Sequence, residues 1–242
     1  MKLSSFLYPL RCPVCDQPVD VFMPRICPDC RKKIPCCTEP CCLKCGTGLS
    51  TDRQMYCAGC SRSQRAFLQG RGTWFYEGAA RESVMRFKTA NRRTYASFYA
   101  QEMLRMQGEW ILSRRAQAFI PVPLTKKKKR RRGYNQAALL ARELSLRTGI
   151  PVLEDLLLRQ EGSRQQKELS GQMRRMNLQR VFYVNQKYIS GEDGPAGKIP
   201  PHTVILIDDI YTTGSTVDAA SRVLLDAGVQ AVYAAYLCVG ES

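Results

Sequence analysis

Nine consecutive residues, Asp208-Asp209-Ile210-Tyr211-Thr212-Thr213-Gly214-Ser215-Thr216, set two carboxylates directly before a hydroxyl-rich loop that contains a glycine. Phosphate is well held by backbone N–H groups at a helix N-terminus, where the macrodipole favours an anion. Gly214 allows close backbone approach, and the hydroxyls of Thr212, Thr213, Ser215 and Thr216 complete such a cradle. Two acids just upstream repel phosphate, so Asp208 and Asp209 must serve something else: sugar hydroxyls, or a Mg2+ that bridges them to pyrophosphate. A helix N-cap beside two solvated aspartates explains one acid and one threonine, but not the whole run.

A second group of residues has metal-ligand spacing. Eleven of the twelve cysteines lie between Cys12 and Cys60, and eight form the CxxC pairs Cys12/Cys15, Cys27/Cys30, Cys42/Cys45 and Cys57/Cys60. The same eleven-residue gap separates the two pairs of each half, so the module reads as a duplication. Two CxxC turns close a tetrahedral four-thiolate site with no open position, which is the chemistry of structural zinc. Disulfides are the competing reading, and the lack of a secretory signal argues against them. Sequential pairing is simplest, with interleaved pairing or a single occupied site as alternatives. Cys36, Cys37, Cys41 and Cys238 are read as packed or spare.

The elements that must position these residues follow from periodicity. Val204 to Ile207 is an unbroken β-branched and leucine run, as expected of a central parallel strand buried on both faces. Beyond the loop, Val217, Ala220 and Leu224 recur at helical spacing up to Gly228, giving strand, phosphate loop and helix in the order that puts a ligand at the carboxyl end of a sheet. Upstream, Ser61–Gln69 reads as a basic linker and Gly72–Tyr76 as a strand, with Ala80, Val84 and Phe87 on a helix. A further helix is expected from Thr94 to about Gln107, with Tyr95, Tyr99, Met103 and Met106 on one stripe. Phe119–Leu124 is a strand that runs into a loop of seven consecutive basic residues, Lys126–Arg132. Ala137, Leu140, Ala141 and Leu144 then mark a helix that ends near Gly149. Residues 159–180 are polar and basic and are expected to form a functional lid, followed by a strand at Val181–Val184.

Charge is unevenly distributed. Residues 61–150 hold 20 basic and 5 acidic side chains, a net +15 of the chain's +16. That asymmetry points to an anionic partner, with nucleic acid ahead of a membrane surface because no strong amphipathic anchor accompanies it. Tyr134 beside the basic run and Tyr211 near the phosphate loop are candidate stacking faces for bases. Met1–Arg11 lacks a signal-type apolar core, and no stretch approaches a membrane span, so a cytoplasmic location is expected. His202, the only histidine, is read as incidental.

Asp208–Thr216 with its preceding strand resembles the signature of type I phosphoribosyltransferases, which bind phosphoribosyl pyrophosphate (PRPP). The whole chain, from about residue 12 to 238, resembles the ComF family of competence-associated proteins. The matching segments are the paired CxxC module, Tyr76-Glu77-Gly78 with Lys88, Pro121-Val122-Pro123-Leu124, Arg132-Gly133-Tyr134-Asn135-Gln136, and Gln166 and Leu169 with Arg175, Asn177 and Leu178. The Cys36–Cys42 stretch and the dense lysine run depart from that pattern.

The resemblance implies an α/β architecture of the type I phosphoribosyltransferase fold, a doubly wound and mainly parallel sheet at residues 66–242, preceded by a small zinc-ribbon module at residues 1–65. It implies that Asp208 and Asp209 contact the ribose hydroxyls, that Thr212–Thr216 hold the 5-phosphate, and that Mg2+ accompanies PRPP. It further implies handling of single-stranded DNA during natural transformation, alongside DNA-uptake machinery proteins. The alternative is an active phosphoribosyltransferase that transfers phosphoribosyl to an unidentified nitrogen acceptor and releases pyrophosphate. There Arg132, Lys167 or Arg164 would neutralise the pyrophosphate and Asp209 would orient the ribose. A passive zinc-ribbon adaptor is a third reading, which the intact phosphate loop opposes.

Overall fold

The computed structural model describes residues 10–19, 25–160, 181–188 and 201–240. Its centre is a four-stranded, all-parallel sheet built from β1 (Gln69–Phe75), β2 (Ala118–Pro121), β5 (Thr203–Tyr211) and β6 (Ala231–Val239). The spatial order is β1-β6-β5-β2. Helices α3 (Gly78–Thr89), α4 (Tyr95–Ser113), α5 (Lys126–Arg132), α6 (Gln136–Thr148) and α7 (Ser215–Asp226) connect the strands. A small antiparallel pair, β3 (Leu157–Arg159) and β4 (Phe182–Val184), lies outside the main sheet. The cysteine region contributes two short helices, α1 (Pro28–Lys33) and α2 (Ala58–Arg62).

Each sheet face has its own core. Val84, Phe87, Tyr95, Tyr99 and Leu140 pack with Ile205 and Ile207 on one side. Val217, Ala220, Leu224, Leu157 and Phe182 pack with Val204 and Leu206 on the other. The alternation of β5 side chains between these cores is the strand period of two, and burial on both faces is why its sequence is a continuous apolar run. The cysteine halves divide in the same way: Cys12, Val14, Ile26 and Cys30 join the first core, whereas Cys42, Cys45 and Cys57 join the second. Asp16 fastens the first half to α4, accepting from Tyr95 Oη and, at 2.6 Å, from Arg92.

Besides the shifted ends of β1, which begins at Gln69, and of β2, which stops at Pro121, three elements differ from expectation. The second expected helix does not stop at Gln107: α4 turns through a non-helical Gln107 (φ −138°) and continues to Ser113. Buried Gln107 donates to Thr73 Oγ1 at 2.8 Å, so the kink is anchored to β1. The basic run is a helix rather than a loop, with Lys128 N donating to the Thr125 side chain at one end and Gly133 in the left-handed conformation at the other. Finally, β5 extends past the apolar run through Tyr211, because β6 pairs beside it as far as Val239. The two acids therefore sit inside the strand.

Candidate functional site

At the carboxyl end of β5, α7 begins with Gly214 as its N-cap and no side chain caps it. Its first-turn amides are thus left for an external acceptor. Thr212, Thr213 and Ser215 are exposed around it, and the Thr213 and Ser215 hydroxyls lie 3.1 Å apart. Gly214 has φ +75°, and a Cβ there would overlap the Tyr211 hydroxyl and lie 2.7 Å from Tyr211 Cζ. The glycine is therefore demanded by the buried tyrosine beneath the loop and by the positive φ. The expected basic linker does more than connect: Arg65 donates to Thr213 O at 2.9 Å, and Ala66 N donates to Asp218 Oδ1 at 2.6 Å.

As neighbours on a strand, Asp208 and Asp209 point to opposite faces. Asp209 is buried and pairs with Lys88 of α3 at 3.1 Å, both side chains being under 15% exposed (13% and 12%). Asp208 accepts from Asp209 N at 2.8 Å. Although part of its surface meets solvent, the protein around it desolvates the carboxyl, and with the Asp209 charge this pushes its pKa up to about 8. A carboxyl held this far from its usual range favours any cation brought beside it.

Cations converge on this end from several elements. The Lys128 ammonium of α5 is held below its ordinary pKa, first by desolvation and then by the neighbouring charges of Arg159, Arg132 and Lys88. Arg159 of β3 is lowered by desolvation and feels the charge of Asp208. Arg132 donates to Gln136 Oε1 at 2.9 Å, and Gln136 is buried with Nε2 unpartnered. Crowded like charges beside two acids give this end of the sheet a field that favours a polyanion. Of the predicted site residues, Asp208, Asp209, Arg132 and Thr212–Thr216 share this end of the sheet, and Lys167 and Arg164 lie outside the described residues.

Both candidate stacking faces are occupied by protein. Tyr134 is buried, donates its hydroxyl to Phe87 O, packs on the Phe87 ring and lies under Arg93. Tyr211 packs against Tyr236 at 4.7 Å and against Phe67 at 6.3 Å. Neither can accept a base without repacking. His202 is exposed and engages only through its backbone, its amide donating to Gln117.

The eight paired cysteines form two clusters, Cys12/Cys15/Cys27/Cys30 and Cys42/Cys45/Cys57/Cys60, whose sulfurs lie within 4.8 Å of one another in each. Sequential pairing is therefore the arrangement adopted. A zinc tetrahedron with bonds of about 2.3 Å has edges of about 3.8 Å. Cys12–Cys27, Cys15–Cys27 and Cys45–Cys57 are 3.8, 3.9 and 3.7 Å apart. Two of the eight donors are shifted toward the thiolate, while burial pushes Cys15, Cys30 and Cys60 up and the Cys42 partner pushes Cys45 up. The Cys45 thiol, helped by the backbone amides of Cys57, Cys45 and Lys44, brings Cys42 down to about 4 against desolvation. Burial raises Cys12, but the amides of Cys15, Cys27 and Val14 outweigh it and leave the thiol at about 7. The sites fit structural zinc, which supplies a cross-link in each half. Among the described residues Cys36, Cys37, Cys41 and Cys238 belong to neither cluster.

Lys88, Lys128 and Arg159 escaped the sequence reading as site residues. Lys88 carried a signal in its place in a segment shared with the resembling family, and Lys128 in its place in the basic run. No helix among the described residues is long and apolar enough to cross a membrane.

Residues 3–61 match the family described as Double zinc ribbon domain. The chain is 30% identical to Competence protein F of Haemophilus influenzae over 92% of its own length and 93% of that protein. It is 25% identical to Competence protein ComFC of Bacillus subtilis, covering 89% and 84% of the two chains. A shorter match, 30% identical over 49% of this chain and 48% of the other, is to the DNA utilization protein YhgH of Escherichia coli O157:H7. Near-complete coverage by the first relative, with a double zinc ribbon ahead of a parallel α/β sheet consistent with a type I phosphoribosyltransferase fold, places this chain in the ComF family of competence proteins.

Proposed function

We propose that this protein binds PRPP at the carboxyl end of β5 and handles single-stranded DNA during natural transformation, working in the cytoplasm beside the DNA-uptake machinery. The observation that carries the pocket is the uncapped N-terminus of α7 next to Asp208 and Asp209, faced by Lys88, Lys128, Arg132 and Arg159. In this reading the loop Thr212–Thr216 holds the 5-phosphate and the two acids accept from the ribose hydroxyls. Lys128, Arg132 and Arg159 neutralise the pyrophosphate. Mg2+ bound with PRPP would supply positive charge beside Asp208, whose pKa is raised by desolvation and the Asp209 charge.

The names of the relatives, competence and DNA utilization proteins, support the DNA-handling part, as does the basic helix α5. Its seven residues project around the whole helix at 100° per residue, and Lys128 and Arg132, four apart, share one face. The remainder offer an outward basic surface suited to a phosphate backbone.

The test is calorimetric titration of the zinc-loaded chain with PRPP and Mg2+, and separately with ribose 5-phosphate. Asp209→Asn is expected to weaken PRPP at least about tenfold, the size of one lost charge-assisted hydrogen bond. Equal affinity in the wild type and the variant overturns the assignment.

A further inference from the structure

With Tyr134 and Tyr211 both packed inward, the aromatic platform nearest the surface lies at the amino end of the sheet. Trp110, in the last turn of α4, meets the Tyr233 ring edge-on, with centroids 6.0 Å apart. Its Nε1 donates to Gln69 Oε1 at 2.8 Å, and Gln69 Nε2 donates in turn to Leu43 O at 3.1 Å. The indole is thus fixed between β1 and the second cysteine half. Gln69 and Tyr233 are register partners on β1 and β6. Arg114, which caps α4, places its guanidinium 5.8 Å from the Trp110 ring centre and 5.2 Å from that of Tyr233. Arg71 of β1 places a second guanidinium over Trp110 at 5.7 Å.

These two charges are not neutralised. Arg31, Arg92 and Arg142 are paired with carboxylates, whereas Arg71 and Arg114 form no ion pair among the described residues. Arg71 is exposed and Arg114 partly so. Arg115 follows at φ +49°, where glycine is the usual residue, so an exposed arginine is kept there at a backbone cost. An exposed guanidinium resting on a ring offers its outer flat face to another π system, and its N–H donors lie in the plane, where phosphate oxygens approach. A nucleotide answers both, with the base on the face and the phosphate at the edge. An acidic peptide would engage the edges alone. Tyr233 pairs with Ile205 of β5, and from there to Tyr211 is about 20 Å at about 3.3 Å per residue. The platform also lies at the β1 edge of the sheet, whereas α5 follows β2 at the opposite edge. It is therefore separate from both the phosphate loop and the basic helix.

We infer that Arg71 and Arg114, held on Trp110 and Tyr233, form a base-stacking site for single-stranded nucleic acid at the amino end of the sheet. The inference rests on the DNA-handling reading above and adds where, and by what contact, a strand is gripped apart from α5.

The test titrates the full zinc-loaded chain with oligothymidylate and with an abasic oligomer of equal length and charge. The wild type is expected to bind oligothymidylate about tenfold more tightly than the abasic probe, within the range for one stacked base. Arg71→Lys combined with Arg114→Lys keeps both charges and removes both planar faces. It should erase that surplus, leave abasic binding unchanged and leave the salt slope as it was. Arg71→Ala combined with Arg114→Ala removes the charges too, and should lower the slope by about 1.4, at about 0.7 per phosphate. Melting temperature and zinc content report the fold of each variant, and Arg71→Lys alone, at an exposed position, supplies the reading should the Arg114 changes disturb it. Equal loss on both probes, or no loss on either, refutes the stacking site, while strand binding by the wild type in that case leaves the DNA-handling reading standing on α5. If the double lysine variant weakens polyglutamate as much as oligothymidylate, the surface is one for acidic proteins and the inference is overturned. A wild type that binds no strand at about 50 mM salt ends both readings.

Discussion

Replacing Asp208 with asparagine should make the unliganded protein more stable while damaging its ligand site. The folded state raises the Asp208 pKa from 3.8 to about 8, chiefly by desolvation and then by the Asp209 charge. A group whose pKa is raised on folding contributes fully below its unfolded value of 3.8, and that contribution disappears as pH rises to about 8. Above that point the ionised carboxylate destabilises the fold. At 1.36 kcal/mol per unit the cost approaches about 6 kcal/mol, and partial solvent contact at the carboxyl reduces it to about 2–3 kcal/mol.

Asparagine has the same shape, can still accept from Asp209 N and carries no charge to desolvate. At pH 8.5, Asp208→Asn should therefore melt about 5–10 °C above the wild type, given about 2–4 °C per kcal/mol for a chain of this size. Below pH 4 the two should coincide, because the wild-type carboxyl is then protonated in both states. Thermal unfolding from pH 4 to 9 with zinc present measures the difference, and the pH response of the cysteine clusters cancels between the two proteins. Parallel melting curves across that range would refute the reasoning.

Cys12→Ser and Cys57→Ser should each lower bound zinc from about two ions per chain to about one, since each cluster contributes on the order of 10 kcal/mol of metal binding to the fold. Metal analysis of reductively purified protein reads this, and a metal-free wild type with full structure would exclude zinc. Gly214→Val must place a side chain into Tyr211 at φ +75°, so it should abolish ribose 5-phosphate binding and lower the melting temperature as well; unchanged binding by calorimetry would remove the loop from the site. Single-stranded DNA should bind with little sequence preference. With about five phosphates contacted, affinity should fall roughly 100-fold between 50 and 200 mM salt. Changing Lys126–Lys129 to alanine should flatten that dependence, and a wild type that retains no single strands at 50 mM salt would end the nucleic-acid reading.

The parts of the site that are local in sequence were legible there. The apolar run before Asp208 identifies β5, the spacing of Val217, Ala220 and Leu224 identifies α7, and the repeated CxxC interval identifies both cysteine clusters. What escaped was assembled by the tertiary fold. Lys88, Lys128 and Arg159 come from α3, α5 and β3, and no periodicity links a lysine on one helix to an aspartate about 120 residues later. The basic run failed for another reason. Seven like charges argue against a helix by repulsion, yet lysine and arginine favour one intrinsically, and Thr125 and Gly133 are helix-capping residue types at the right positions. Tyr134 looked available because it adjoins the run, whereas the fold turns it inward onto Phe87.

The electrostatic features at the carboxyl end of β5 are individually unfavourable and mutually complementary. Asp208 is desolvated and makes no ion pair among the described residues, the Lys128 ammonium is depressed by desolvation and by its neighbours, α5 repels itself, and α7 begins without a side-chain cap. Other acids in the structure are paired: buried Glu102 is clasped by Arg31 at 2.6 Å and Arg105 at 2.9 Å, and Asp16 by Arg92 and Tyr95. The contrast locates where the fold leaves charge uncompensated. A ligand carrying phosphate, hydroxyls and a bound divalent cation answers all of these deficits at once, because the anion meets the cations and the amides while the cation meets Asp208. Phosphate alone would relieve only the first part and leave the carboxyl as it was. Binding of PRPP should consequently depend on Mg2+ more steeply than binding of ribose 5-phosphate does, and Asp208→Asn should erase most of that difference.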